Sequence, residues 1–152
     1  MASTGLAPAP IQNTQTAAQA TALARVLISA RWFYWIAGLS LINSAVVIFG
    51  GNFDFVVGLG VTSVVDVLAK RAGTTGIVLD LIINGFVAGL FYLFGSYASK
   101  AQKWAFLVGM GLYAVDGLLL LAGQDFLSVA FHAYALYCIY RGLAATEAAA
   151  QA

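Results

Sequence analysis

The chain has 152 residues, 62% of them hydrophobic and 9% charged, with a net charge of +1. Soluble domains carry about 25% charged residues, and a fold this short leaves too much surface exposed to hide so much apolar side chain from water. The composition therefore excludes an ordinary soluble domain, and basic residues scattered in ones and twos exclude a nucleic-acid partner, which needs a patch that neutralises phosphates.

Residues 1–22 read as a flexible, low-complexity tail of Ala, Thr, Gln and Pro, although the Ala-rich run from Thr14 also suits a helix leading into the first span. Met1 to Ala24 carry no charge, so the positive segment of a secretory signal is missing. Residues 23–145 are expected to form one transmembrane helical bundle with no soluble domain, and 146–152 a short carboxy-terminal tail.

A spanning helix needs about 20 mostly apolar residues. Five windows fit in chain order: 26–50, 53–69, 75–97, 103–121 and 125–143. The breaks between them, at Gly50-Gly51-Asn52, Lys70-Arg71-Ala72-Gly73, Ser99-Lys100-Ala101-Gln102 and Gly123-Gln124, combine glycine or charge with polar residues, as turns do. The reading is all-α, an integral membrane bundle of five spans. The window 53–69 is the shortest, and a re-entrant segment there, leaving four spans, is the alternative topology. In the five-span path Arg25, Arg31, Lys70 and Arg71 fall on the side where the first span begins, and Lys100, Lys103 and Arg141 on the other. The larger basic count places the amino terminus in the cytoplasm. Trp32 to Trp35 and the group Tyr97, Trp104 and Tyr140 then mark opposite membrane borders.

Charged groups are expensive in hydrocarbon, so an ionisable residue inside a span marks a site. Asp66, Asp80, Asp116 and His132 lie on four different windows. Counted inward from the nearest break at the helical rise, they sit about 6 to 10 Å deep on the same side. The faces agree. Gly58, Thr62 and Asp66 repeat every four residues, as do Gly76, Asp80, Asn84 and Ala88. Gly109, Tyr113, Asp116 and Gly117 share a face, and so do Ser128 and His132. Polar stripes must face protein or water, so they line an interior seam, which Asn43 and Ser44 extend.

Three readings of the seam compete. The first is a proton- or cation-linked carrier or channel using Asp66, Asp80, Asp116 and His132, with Asn84 and Thr62 as polar neighbours. The second is an accessory subunit of a larger membrane complex, or a homo-oligomer, whose polar groups clamp helices together. The third is chemistry at a bound metal such as Mn, Fe or Zn, although no local ligand motif is present and no cofactor is named by the residues. No nucleophile stands beside a base, so an enzyme is not the expected function. Among the lesser features, Asp54 and Asp125 are expected to cap helices. Gly85 and Gly89 form a GxxxG pair expected to pack inside the bundle, and Cys138 is expected to be a small buried apolar residue.

Overall fold

The computed structural model describes residues 11–48, 60 and 74–150. Among these, four helices carry the fold: α1 (Ile11–Ile48), α2 (Thr74–Ala98), α3 (Lys103–Ala122) and α4 (Phe126–Ala150). No proline follows Pro10, so nothing interrupts the hydrogen-bond ladders. The window 53–69 lies outside the described residues, apart from the helical Gly60.

Two tight turns join the last three helices, and both have the same construction. After α2, the Gln102 N–H reaches the Tyr97 carbonyl at 3.2 Å and the Ala101 N–H the Ala98 carbonyl at 2.9 Å. After α3, the Asp125 N–H reaches Leu120 at 3.1 Å and the Gln124 N–H reaches Leu121 at 3.0 Å. This is the paired 6→1 and 5→2 bonding that closes a helix carboxy terminus. Its left-handed position is filled by Ala101 (φ 57°) and Gln124 (φ 60°), where glycine is usual. Asp125 then caps α4, accepting the Ser128 N–H at 3.2 Å.

Side-chain contacts fix the helix directions. Tyr34 meets Tyr92 (centroids 5.2 Å apart) and Ser44 meets Asn84, so α2 runs antiparallel to α1. Ser29 donates to the Cys138 carbonyl and Trp32 packs on Phe131, so α4 is antiparallel to α1 as well. Lys103 pairs with Glu147, and Asp116 with His132, which orients α3 against α4. The four helices form an up-down-up-down ring. Phe33 sits inside it against Phe91, Phe94 and Phe106, at centroid separations of 6.0 to 6.3 Å. Glycine permits two close approaches here. A Cβ at Gly109 would lie 2.5 Å from Phe33 Cε1, and one at Gly142 would run into Ser29.

The path corrects several expectations. Ile48 and Thr74 stand at the same end of the ring, whereas an alternating five-span chain requires residues on either side of a span to stand at opposite ends. As a result Arg25, Arg31, Lys100, Lys103 and Arg141 all fall toward one end, the basic end of the described residues, and the two expected aromatic borders meet there through Phe94, which packs on both Phe33 (centroids 6.1 Å apart) and Trp104 (6.3 Å). The tails are also shorter than expected. α1 begins at Ile11 because its alanines favour helix, and α4 continues to Ala150 because Thr146 and Ala149 are buried.

The outer surface is apolar. Ile28, Trp35, Phe86 and Leu118 are each more than 60% exposed, in company with many other large hydrophobic side chains. Among the described residues three helical stretches are long and apolar enough to cross a membrane: Thr16–Val46, Leu81–Ala98 and Lys103–Ala122. α4 contains Arg141 and Glu147 and is not among them. Gly85 and Gly89 face outward with open space around them, so this pair does not pack inside the bundle.

Candidate functional site

The interior positions follow from helical spacing. On α3, Gly109, Tyr113, Asp116 and Gly117 are all buried, at three-and-four intervals. On α4 the buried polar residues are Ser128, His132 and Thr146. On α1 they are Ser29, Ser40, Asn43 and Ser44, and on α2 Asn84. Asp116 and His132 lie equally far on either side of the turn at Gln124. In an antiparallel pair such positions face each other.

They meet. His132 Nε2 is 2.9 Å from Asp116 Oδ2, with side-chain exposures of 2% and 4%. His132 Nδ1 is 2.8 Å from the Ser128 carbonyl oxygen, one turn back on its own helix. The Gly60 N–H donates to the same Asp116 Oδ2 at 2.8 Å. Tyr113 lies parallel to the imidazole and covers one face of it, while Gly117 backs the ring, where a Cβ would stand 3.3 Å from His132 Cβ.

These contacts constrain the protons. A carbonyl only accepts, so Nδ1 carries a hydrogen and donates it to Ser128. The second ring nitrogen faces a carboxyl oxygen. Either Nε2 donates to a carboxylate or a protonated carboxyl donates to Nε2, and in both cases one proton lies between the two groups. The pair is then net neutral, which lowers the cost of burying it.

A second polar contact joins α1 and α2, where Asn84 Nδ2 donates to Ser44 Oγ at 2.6 Å. Seven residues separate Phe33 from Ser40, Phe91 from Asn84, Phe106 from Tyr113 and Ile139 from His132. Asn84 thus stands about 10 Å beyond Phe91 along α2, away from the basic end, whereas the Tyr113 ring packs edge-on against Phe91 with centroids 6.0 Å apart, so the Asp116–His132 site borders the aromatic layer. The buried hydroxyls of Ser40 and Tyr113 meet no hydrogen-bonding group among the described residues.

Of the residues expected at the seam, Asp116 and His132 are brought together, and Asn84 is buried against Ser44. Asp80 belongs to α2, but its side chain lies outside the described residues, as do Asp66 and Thr62 entirely. The Asp116–His132 pair lies toward the far side from the start of α1, not the near side, because α3 and α4 each run opposite to the direction that five alternating spans require. Among the described residues no three His, Cys, Asp or Glu side chains gather as a metal site would require. Two contributors were missed. The Gly60 N–H leaves no trace in the sequence, and Tyr113 had been placed on the right face but not against the histidine. Cys138 is half-buried at the surface of α4.

Comparison with known proteins gives no match to any family model, curated protein or solved structure.

Proposed function

We propose that the chain is a multi-pass membrane protein in which the Asp116–His132 pair serves as a proton-exchanging site, for movement of protons or of a small cation-coupled solute. The observation that carries this reading is the one-proton bridge between His132 Nε2 and Asp116 Oδ2, buried among apolar helices. Removing or adding a proton leaves a net charge inside low dielectric, so any exchange there is strongly coupled to a counter-charge. The buried Tyr113 hydroxyl adds a polar atom beside the pair.

Membrane insertion is supported by the apolar outer surface, since soluble monomers rarely expose contiguous apolar patches beyond a few hundred square ångströms. Orientation is supported by the charge distribution. Among the described residues the basic Arg25, Arg31, Lys100, Lys103 and Arg141 share one end and Asp125 stands at the other, which favours a cytoplasmic amino terminus.

The test is proton flux in proteoliposomes carrying a pH-sensitive dye. Wild-type protein is expected to collapse an imposed pH gradient faster than empty vesicles do, and folded Asp116→Asn is expected to lose that effect. A folded variant with wild-type flux overturns the carrier reading. The second reading, a helix clamp within an accessory subunit, is favoured by the Asn84–Ser44 bond, which joins two helices and needs no proton exchange. It requires wild-type vesicles to behave as empty ones and partner chains to co-purify after mild solubilisation.

A further inference from the structure

On the outer face of the bundle, between α1 and α4, a groove of about 360 Å³ opens toward the basic end, and Arg25 and Arg141 line it from opposite helices with Ile28 and Trp32. A second groove of about 360 Å³ shares Ile28 and Trp32, has Arg31 on its wall, and continues past Trp35, Leu39 and Phe131. From these observations we infer a binding site for one phospholipid with an anionic headgroup, its phosphate between Arg25 and Arg141 and its acyl chains along Trp32 toward Leu39. The site rests on the membrane reading above.

Charge complementarity selects the occupant. Neither guanidinium meets a carboxylate among the described residues, because the nearby Glu147 is paired with Lys103. The two hydroxyls lining the groove are already committed, with Thr21 donating to the Ala17 carbonyl and Ser29 to the Cys138 carbonyl. What the mouth offers is two forked cations, matched to phosphate oxygens. A choline headgroup would add a cation of its own beside them, whereas a glycerol headgroup adds none. Length agrees as well. Arg25 and Leu39 are fourteen residues apart on α1, about 21 Å, close to one leaflet of a bilayer about 40 to 45 Å thick. The basic end also faces the leaflet in which anionic lipids attract juxtamembrane arginines.

Native mass spectrometry of the full chain, released from micelles containing equal dioleoyl-phosphatidylglycerol and dioleoyl-phosphatidylcholine, tests the site. Wild-type protein is expected to retain one phosphatidylglycerol, with a preference of about tenfold over phosphatidylcholine. Arg25→Gln with Arg141→Gln is expected to abolish the preference, each single change to weaken it, and Lys100→Gln, outside the groove, to leave it intact. Equal retention of both lipids by wild-type protein overturns the proposal, and so does a preference that survives the double change. Millimolar inorganic phosphate is expected not to displace the lipid. Full displacement by it identifies an ordinary anion site and also overturns the proposal. Alkaline extraction of membranes separates the two levels of the argument: release of the chain into the aqueous fraction sinks the membrane reading itself, whereas retention without lipid preference sinks the lipid site alone.

Discussion

Tyr113 lies flat on the imidazole of His132, with ring centroids 4.1 Å apart and planes inclined by 15°. Tyr113 and Asp116 are one turn apart on the same helix. One therefore covers the face of the ring while the other reaches its edge. With Nδ1 tied to Ser128 and Gly117 behind, the histidine is held on every side described. A side chain packed and hydrogen-bonded in this way is held in one orientation, which fixes its edge against the carboxyl of Asp116.

The pair is expected to act as a unit in stability. Asp116→Leu takes the carboxyl partner from His132 Nε2, and His132→Leu takes one partner from the Asp116 carboxyl, which keeps the Gly60 N–H, each in an apolar setting. Each single change is expected to cost about 3 kcal/mol, and the double change Asp116→Leu with His132→Leu less than the sum of the two, because neither ring nitrogen nor carboxyl is then left without the other and only the Gly60 N–H loses its acceptor. Unfolding equilibria in detergent measure all three. A double variant at the sum of the singles would show that the two groups do not interact.

Tyr113→Phe separates the ring from its hydroxyl. The buried hydroxyl meets no hydrogen-bonding group among the described residues, so its removal is expected to leave stability unchanged or raised by about 1 kcal/mol, while the stack on His132 persists. A loss of more than 1 kcal/mol in the same detergent assay would identify a partner for the hydroxyl.

The reversed path has a direct check. In a Cys138→Ala background, Gln102→Cys stands at the basic end and Gln124→Cys at the opposite one. A membrane-impermeant maleimide is expected to label Gln124→Cys in intact cells and Gln102→Cys only after lysis. Labelling of both from the same side contradicts the antiparallel packing of α3, and the opposite pattern reverses the orientation.

The inward face of each helix was legible because side-chain chemistry dictates it. The stripe Gly109, Tyr113, Asp116 and Gly117 is buried as its spacing requires, and Ser128 with His132 likewise. The Asp116–His132 pairing was legible for a second reason, since a tight turn at Gln124 makes equidistant residues face each other. The direction of the chain was not legible. It depends on what lies between Ile48 and Thr74, and hydropathy reads an apolar window of 17 residues the same way whether or not it crosses. With that step undetermined, the depth of the site, the distribution of basic residues and the Asn84–Ser44 register were all undetermined too.

The Asp125 cap gives a pH dependence with a definite sign. Hydrogen bonds from the Ser128 side chain and backbone hold its carboxyl below the ordinary carboxylate range. A group whose folded value is depressed contributes stability above its unfolded value and loses that contribution as pH falls through the folded one. The stability difference between wild type and Asp125→Ala is therefore expected to be about 1 kcal/mol at neutral pH and to vanish in strong acid, as followed by thermal melts from pH 7 downward. A difference that does not change with pH would assign the effect to packing rather than to the charge.

Glycine and alanine should exchange with opposite effects at positions that differ only in local geometry. At Gly142 a new Cβ strikes Ser29 and Phe106, so Gly142→Ala is expected to cost about 1 to 3 kcal/mol. At Gly111 nothing lies within 4 Å of the added carbon, and Gly111→Ala is expected to gain up to about 1 kcal/mol from helix propensity alone. The turns invert the rule. Ala101 and Gln124 occupy left-handed backbone at φ 57° and 60°, where a side chain is strained, so Ala101→Gly and Gln124→Gly are each expected to stabilise by about 1 kcal/mol. Melting temperatures of the four variants in one detergent suffice. If Gly142→Ala matches Gly111→Ala, then α1 and α4 do not pack at the distance that brings Ser29 to the Cys138 carbonyl.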